Sequence, residues 1–311
     1  MSKSGVASGS ETPTSEGASL VPYPEQSNSS NVRLVAATRV LISADMEGAT
    51  GVTCPEDCRP GSPQWDRFRH LFNGDVAAVA EGYLDAGIEV LINDSHSFMR
   101  NLLIEDLDPR VRLLTGNHKP LGMMEGILDG PDLVAFVGYH AGPGIEGVLS
   151  HTFVGFEVFS VTLNGRLMSE GYLNAMLAAE VGSRVALVSG DDMTCDDAHD
   201  YAPDAQLVEV KKTVDRFSAI CIPPARTHQM LYDAAVASVN TTALPTLPQA
   251  PYRCDVEFVG TSSAAMASWI PTVDRTGPRT VSFQADRIQD LYQCFMVVAR
   301  IGKSATEPRF A

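Results

Sequence analysis

The sequence predicts an α/β protein with a mainly parallel sheet core, helices on both faces, and a smaller mixed α+β region. Residues 39–45, 88–94 and 132–140 form three continuous apolar runs that each end in polar residues, which is typical of strands buried on both faces. Between the first two runs, apolar residues recur at helical spacing from Phe72 until Gly87 ends the helix. This strand–helix–strand order predicts a right-handed parallel crossover.

The second half of the chain predicts a mixture of hairpins, helices and strands. The pair Asn164–Gly165 lies between two short apolar runs, which indicates a hairpin over 156–171. The following segments predict, in order, a helix (172–182), a strand (184–192), an antiparallel pair (206–222), a helix (224–239) and two strands (252–260 and 279–286). Asp286 is the expected cap of a last helix, whose apolar face is Ile288, Leu291, Tyr292, Phe295 and Ala299.

Composition restricts the class of protein. The formal net charge of the 311 residues is -15, and no basic run occurs, which argues against a nucleic-acid partner. No apolar run reaches the roughly 18 residues that a membrane span needs. Residues 1–36 have the composition of a disordered tail without secretory features, and we expect one domain over 37–311. The six cysteines show no disulfide or metal-binding pattern, which favours reduced thiols in a cytoplasmic protein.

Acidic and histidine side chains follow the predicted strands. Asp45 and Glu47 follow the first strand, His96 follows the second, and His140 ends the third. Sites in open parallel sheets form outside the carboxyl ends of the strands. With Glu170, farther along the chain, these side chains form a set of oxygen and nitrogen ligands without thiolate. Such a set suits Zn²⁺, and Mn²⁺ or Co²⁺ less specifically.

The charges of this set favour two metal ions. Two adjacent carboxylates repel each other unless a cation lies between them, and Asp45 and Glu47 point the same way if the strand continues to Glu47. Three carboxylates around one divalent ion leave a negative site, whereas two ions and a bridging hydroxide neutralise it. An aspartate can bridge such a pair. A second possibility is that these side chains are turn caps and structural histidines. Asp94 could orient a ligand imidazole.

Five motifs occur in one order: SADMEGATG, NDSHSFMRNL, GYHA, VLSHTF and SEGYLNA. Together they resemble the M55 family of zinc-dependent D-aminopeptidases, and the resemblance extends from Arg39 to near the C-terminus. It implies two zinc ions per subunit, with Asp45 as the bridging ligand. It also implies a catalytic role for His151 and assembly into a decameric ring. The implied metal ligands are Asp45, Glu47, His96, His140 and Glu170.

The sequence therefore predicts a metal-dependent aminopeptidase that releases N-terminal, and by resemblance D-, amino acids from short peptides or amino-acid amides. A metal-activated water would attack the amide, while His151 would stabilise the oxyanion or protonate the leaving amine. A direct nucleophilic role for His151 also stays open. Two alternatives stay open. The same site could hydrolyse a different small amide in specialised metabolism, or the chain could be a non-catalytic metal-binding assembly protein.

Overall fold

The computed structural model describes Met1 and residues 37–305. The tail predicted over 1–36 lies, apart from Met1, outside the described residues. Within the described part, no helix combines the length and the apolar character that a membrane crossing requires.

The strands and helices have the following bounds. The strands are β1 (Arg39–Ala44), β2 (Glu89–Asp94), β3 (Arg112–Leu114), β4 (Leu133–Val137), β5 (Val158–Leu163), β6 (Arg166–Leu167), β7 (Arg184–Asp191), β8 (Gln206–Asp215), β9 (Ser218–Cys221), β10 (Tyr252–Phe258), β11 (Asp274–Arg275) and β12 (Thr280–Ala285). The α-helices are α1 (Pro55–Cys58), α2 (Pro63–Asp85), α3 (Glu170–Glu180), α4 (Asp192–Tyr201), α5 (Pro224–Ser238), α6 (Thr261–Ala267) and α7 (Ile288–Ser304). Short 3₁₀ helices are formed by Ile104–Asp106, Gly122–Met124 and Ile127–Asp129.

The larger sheet has the strand order β3-β2-β1-β4-β7-β8-β9. All its neighbouring strands are parallel except β8 and β9, which pair antiparallel. Since the chain continues from β1 to β2 on one side and later returns to β4 on the other, the strand order reverses at β1. Ligand sites in such sheets form at this reversal, beyond the carboxyl ends of the strands. The carboxyl ends of β1, β2 and β4 are the ones that carry the predicted ligands.

Successive residues of the central strands point to opposite faces of the larger sheet. In β1, Val40 and Ile42 pack in the apolar cluster that includes α2 and α5, whereas Leu41 packs in the cluster that includes α3 and α7. Both faces are therefore covered, which explains the continuous apolar runs. The predicted α/β core with helices on both faces is confirmed.

The smaller sheet is antiparallel, with the order β11-β12-β10-β5-β6, and α6 and α7 accompany it. Its strands come from two separate parts of the chain, 158–167 and 252–285, so this region is both inserted and appended. The hairpin predicted around Asn164–Gly165 is β5–β6, and both turn residues have positive φ angles of 49° and 82°. Such angles are what an Asn-Gly hairpin turn requires.

The start of α7 differs from the prediction. Arg287, not Asp286, precedes the helix, and its side chain makes no capping hydrogen bond. The carboxylate of Glu180, at the end of α3, instead accepts from the backbone N–H groups of Ile288 (2.6 Å) and Gln289 (2.9 Å). A cap supplied from 108 residues away cannot be recognised from local sequence. The apolar face predicted for this helix is buried as expected.

Candidate metal centre

The structure brings the predicted site residues to one cavity of about 700 Å³ at the carboxyl ends of β1, β2 and β4. Glu170 is the first residue of α3, whose N-terminus is capped by the Ser169 side chain. His151 lies in the segment between β4 and β5. These residues line the cavity, and all except His151 are almost completely buried: Asp45, Glu47, His96, His140, His151 and Glu170.

Asp45 and Glu47 converge because the chain turns, not because the strand continues. β1 ends at Ala44, and Glu47 lies in the turn that follows. The turn packs against the backbone after β4, where Gly48 N–H donates to the Gly138 carbonyl at 2.7 Å. A Cβ atom at Gly48 would overlap the carbonyl oxygen of Tyr139. Glycine is therefore required for the close approach of these two ligand-bearing segments.

We expect Gly48→Ala to destabilise the protein by about 3 kcal/mol or more, since the overlap is with backbone that cannot move away as a side chain could. Differential scanning calorimetry would measure this loss. Gly277→Ala is the matched control, because its Cβ would lie 3.3 Å from the side-chain oxygen of Thr280. Equal stability of the two variants would contradict the close-packing argument.

His96 directs one ring nitrogen into the site and the other to the backbone. Its Nε2 atom lies 2.7 Å from the carbonyl oxygen of Cys58. A carbonyl can only accept, so Nε2 carries the hydrogen and neutral His96 has its lone pair on Nδ1. Nδ1 lies 2.8 Å from Glu47 Oε2 and 3.3 Å from Asp45 Oδ1.

His140 has the same arrangement with its nitrogens exchanged. Nδ1 lies 3.0 Å from the carbonyl oxygen of Ala141, so it carries the hydrogen. Nε2 then faces Asp45 Oδ2 and Glu170 Oε1, both at 3.4 Å. The two oxygens of Asp45 therefore approach different imidazoles. Oδ1 lies 3.3 Å from His96 Nδ1, which Glu47 also approaches, and Oδ2 lies 3.4 Å from His140 Nε2, which Glu170 also approaches.

The donor atoms of both groups fit a cation. Asp45 Oδ2 and Glu47 Oε2 are buried and accept no hydrogen bond from any described residue. Glu47 Oε2 is nevertheless 2.8 Å from His96 Nδ1. The short contact and the missing hydrogen bond agree if Glu47 Oε2 and His96 Nδ1 both present lone pairs, because neither atom then carries a hydrogen to donate. Buried carboxylates without a partner are costly, so positive charge must lie among them.

The pKa values respond to this concentration of charge. Burial and the neighbouring Glu47 carboxylate raise the pKa of Asp45 to about 7. Burial also raises the pKa of Glu47, but the adjacent His96 outweighs it and holds the value well below the usual range. For His140, burial lowers the pKa, while the carboxylates of Glu170 and Asp45 raise it more, to about 10. The site thus stabilises positive charge at His96 and His140 and disfavours a further unpaired carboxylate.

His151 lies parallel to His140, with ring centroids 4.2 Å apart and planes inclined by 7°. Its Nδ1 atom is 2.8 Å from the Leu149 carbonyl oxygen, so Nε2 faces the site, 3.9 Å from Glu47 Oε1. Burial and the nearby His140 lower the pKa of His151, so its neutral form is favoured. His151, His140 and Glu170 also offer ligand atoms within 4.8 Å of one another, as do Asp45, Glu47 and His140. The geometry therefore allows His151 to bind a metal as well as to transfer a proton.

Two buried lysines outside the five motifs hold the loops that carry the candidate ligands. Lys211 Nζ donates to the carbonyls of Glu47 (2.7 Å), Ala49 (3.1 Å) and Val52 (2.6 Å). Lys119 Nζ donates to Asn93 Oδ1 (2.6 Å) and to the carbonyls of Asp94 (2.7 Å) and Leu114 (3.2 Å). Burial lowers the pKa of each to about 8. Alternation in β8 gives no signal for Lys211, because Val208 and Val210 point inward and the register shift beside Asp191 turns the adjacent Lys211 inward as well.

Asp94 does not orient an imidazole, so that expectation is wrong. Its carboxylate instead accepts from the backbone N–H groups of Asn101 (2.5 Å) and Leu102 (2.8 Å) and from the Asn101 side chain (2.8 Å). Asp94 therefore closes the loop that begins at His96. The backbone carbonyls of Cys58 and Ala141 orient the imidazoles of His96 and His140 instead. Backbone groups cannot be recognised from a pattern of side chains.

Comparison with known proteins agrees with the geometry. The model of the M55 peptidase family, described as D-aminopeptidase, matches residues 38–297. A D-aminopeptidase from Bacillus subtilis is 32% identical over 267 residues, which are 85% of this chain and 97% of that protein. The solved structure of the Zn-dependent D-aminopeptidase DppA from Bacillus subtilis, a self-compartmentalizing protease, superposes with a TM-score of 0.83. The two sequences are 30% identical, and the match covers 87% of this chain and 100% of the DppA chain.

Proposed function

Since this chain belongs to the M55 family of D-aminopeptidases, we propose that its cavity removes N-terminal D-amino acids from short peptides or amino-acid amides. The chain is a metal-dependent aminopeptidase, and zinc is the metal that its family uses. The observation that supports the proposed site best is the arrangement of Asp45, whose two oxygens approach different imidazoles, each of which a second carboxylate also approaches.

In this proposal, two zinc ions would be held by Asp45, Glu47, His96, His140 and Glu170, with Asp45 shared between them. When bound, the zinc pair polarises the scissile carbonyl and activates water for attack. The backbone carbonyls of Cys58 and Ala141 hold the two ligand imidazoles in the tautomers that binding requires.

The proposal assigns proton transfer to His151. With its hydrogen on Nδ1, bonded to Leu149, the neutral ring has a lone pair on Nε2 that faces the cavity. Because its pKa is lowered, this nitrogen is free to accept a proton near neutral pH. The resulting imidazolium can then protonate the leaving amine, which would otherwise depart as an unstable anion.

We expect His151→Ala to lower kcat at least about 100-fold, the usual contribution of a positioned acid–base group. Zinc content, measured by atomic absorption, should stay near that of the native protein. His118→Ala is the matched control, since His118 lines the same cavity but is exposed. Loss of zinc together with activity would instead identify His151 as a metal ligand, which the geometry also permits.

The decisive experiment combines metal quantification of the purified protein with an amide panel. The panel contains D-alanyl-D-alanine, L-alanyl-L-alanine and the D- and L-alanine amides. Two zinc ions per subunit and preference for the D-substrates would support the proposal. Turnover of none of them by the zinc-loaded protein would favour the alternative of a different small amide. The absence of stoichiometric metal would contradict the two-metal site.

We also propose that the chain forms a homo-oligomer in the cytoplasm, and by resemblance a decameric ring. The related DppA is described as self-compartmentalizing. Several large apolar side chains of this chain are exposed, which is uncommon for an isolated subunit, among them Phe156, Phe159, Phe217, Val259 and Trp269. The six thiols are unpaired, as a reducing compartment requires. Light scattering after gel filtration measures the oligomeric state directly.

A further inference from the structure

One edge of helix α7 faces the same cavity as the candidate metal centre. Met296, Ala299, Arg300 and Lys303 line that cavity, and their spacing of three and four residues places them along one side of the helix. Of the described residues that line this cavity, Arg300 is the one arginine and Lys303 the one lysine. Their positive charge stands out in a chain of formal net charge -15.

Aromatic packing fixes α7 relative to the metal centre. The ring of Phe295 meets that of Phe153 edge-on at 4.8 Å, and the Phe153 N–H donates to Glu170 Oε1 at 2.6 Å. Tyr292, one turn earlier, accepts from the Met123 N–H at 3.2 Å, and Met123 also lines the cavity. The basic residues at the end of α7 are therefore held by the same contacts that hold a candidate ligand.

We propose that Arg300, with Lys303 beside it, binds the α-carboxylate of a short peptide substrate. This inference rests on the proposed function and names its substrate class: peptides of two or three residues with a free C-terminus. The guanidinium of Arg300 makes no hydrogen bond or ion pair with the part of the chain that the structure describes, so it can offer a planar pair of donors to a carboxylate.

The charges of the cavity match those of such a peptide. With two zinc ions and a hydroxide bound, the carboxylates of Asp45, Glu47 and Glu170 are neutralised, so Arg300 and Lys303 are the residues of the described lining that attract an α-carboxylate by their own charge. Since one extended residue spans about 3.5 Å, the carboxylate of a dipeptide lies only one residue beyond the scissile bond. A cavity of about 700 Å³ encloses a peptide of this size. A basic group in the lining of the same cavity thus favours short peptides whose carboxylate can reach it.

The test compares free and amidated substrates of the zinc-loaded protein. For Arg300→Gln we expect kcat/KM for D-alanyl-D-alanine to fall about fivefold, as is typical of an exposed charge pair, through KM rather than kcat. The value for D-alanyl-D-alaninamide, which lacks the carboxylate, should change less than twofold. Arg226→Gln, an exposed arginine on α5, is the control with the same change in net charge. Equal losses for both substrates, or no loss for either, would overturn the proposal.

A binding measurement separates this inference from the proposed function. The probe is a D-alanyl-D-alanine analogue in which a methylene group replaces the scissile carbonyl, so it cannot be hydrolysed. By calorimetry, Arg300→Gln should raise its Kd about fivefold, and should leave the Kd of the amidated analogue unchanged. If the native protein hydrolyses neither the dipeptides nor D-alanine amide, the proposed function fails, yet the binding result still decides whether Arg300 recognises a carboxylate.

Discussion

Asp45→Asn is expected to lose more zinc than any other single substitution of a candidate ligand. Asp45 is the residue whose two oxygens approach both ligand imidazoles, so an amide at this position weakens both metal positions. Removal of a group that hydrogen-bonds to a metal ligand lowers metal affinity 10- to 100-fold. Replacement of a bridging ligand itself should therefore lower zinc affinity at least about 100-fold. Zinc per subunit, measured by mass spectrometry after dialysis against a chelator, checks this expectation.

Glu170→Gln is the matched comparison for Asp45→Asn, since Glu170 faces only His140 among the ligand imidazoles. We expect it to weaken one metal position and leave the other filled. The fold should survive Asp45→Asn, because the Asp45 carboxylate is buried beside Glu47 and a neutral amide is no harder to bury in metal-free protein. Retention of two zinc ions by Asp45→Asn would rule out its bridging role.

Lys211→Met is expected to lower both stability and zinc affinity. Methionine has a similar length but cannot donate, so the carbonyls of Glu47, Ala49 and Val52 lose the ammonium group as a donor, and of the three Ala49 keeps the Val52 N–H. Each unsatisfied group costs about 1–3 kcal/mol, while removing a buried charge offsets part of that sum. We estimate a net loss of about 3 kcal/mol, which lowers Tm by about 5 °C in a protein of this size.

Calorimetry of metal-free protein and zinc titration together test the role of Lys211. Lys212→Met changes the neighbouring, exposed residue of the same strand and should alter neither quantity. Because the turn after β1 contains Glu47, its loosening should weaken zinc binding beyond any general loss of stability. If Lys211→Met lowers Tm while zinc affinity is unchanged, Lys211 supports the fold without positioning Glu47.

Much of the site could be predicted because its side chains follow predictable strands. The ends of β1, β2 and β4 place Asp45, His96 and His140 at one sheet edge, and apolar runs are sufficient to locate those ends. The reason why Glu47 converges with Asp45 could not be predicted, because it depends on a turn packed against Gly138. The cap that Glu180 supplies to α7 depends on contacts between distant segments in the same way.

The hydrogen bonds of the imidazoles could not be predicted from the sequence for a different reason. His96, His140 and His151 each use a main-chain carbonyl, from Cys58, Ala141 and Leu149 respectively. Every residue has such a group, so no residue type reveals it. The burial of Lys211 could not be predicted either, because a single charge in an alternating strand is usually an exposed residue, and only the packed structure shows where Lys211 points.

The carbonyl partners of the three histidines also affect how the site can vary. Where a carboxylate side chain orients a ligand histidine, one point mutation removes it. Here the side chains at 58, 141 and 149 can change while the oxygen that holds each ring stays in place. Substitution of these residues is therefore not expected to change the metal preference. A deletion or insertion that displaces their backbone would change the orientation of the histidine rings. Heritable change of metal preference in this enzyme should come from altered loop length rather than from single substitutions around the ligands.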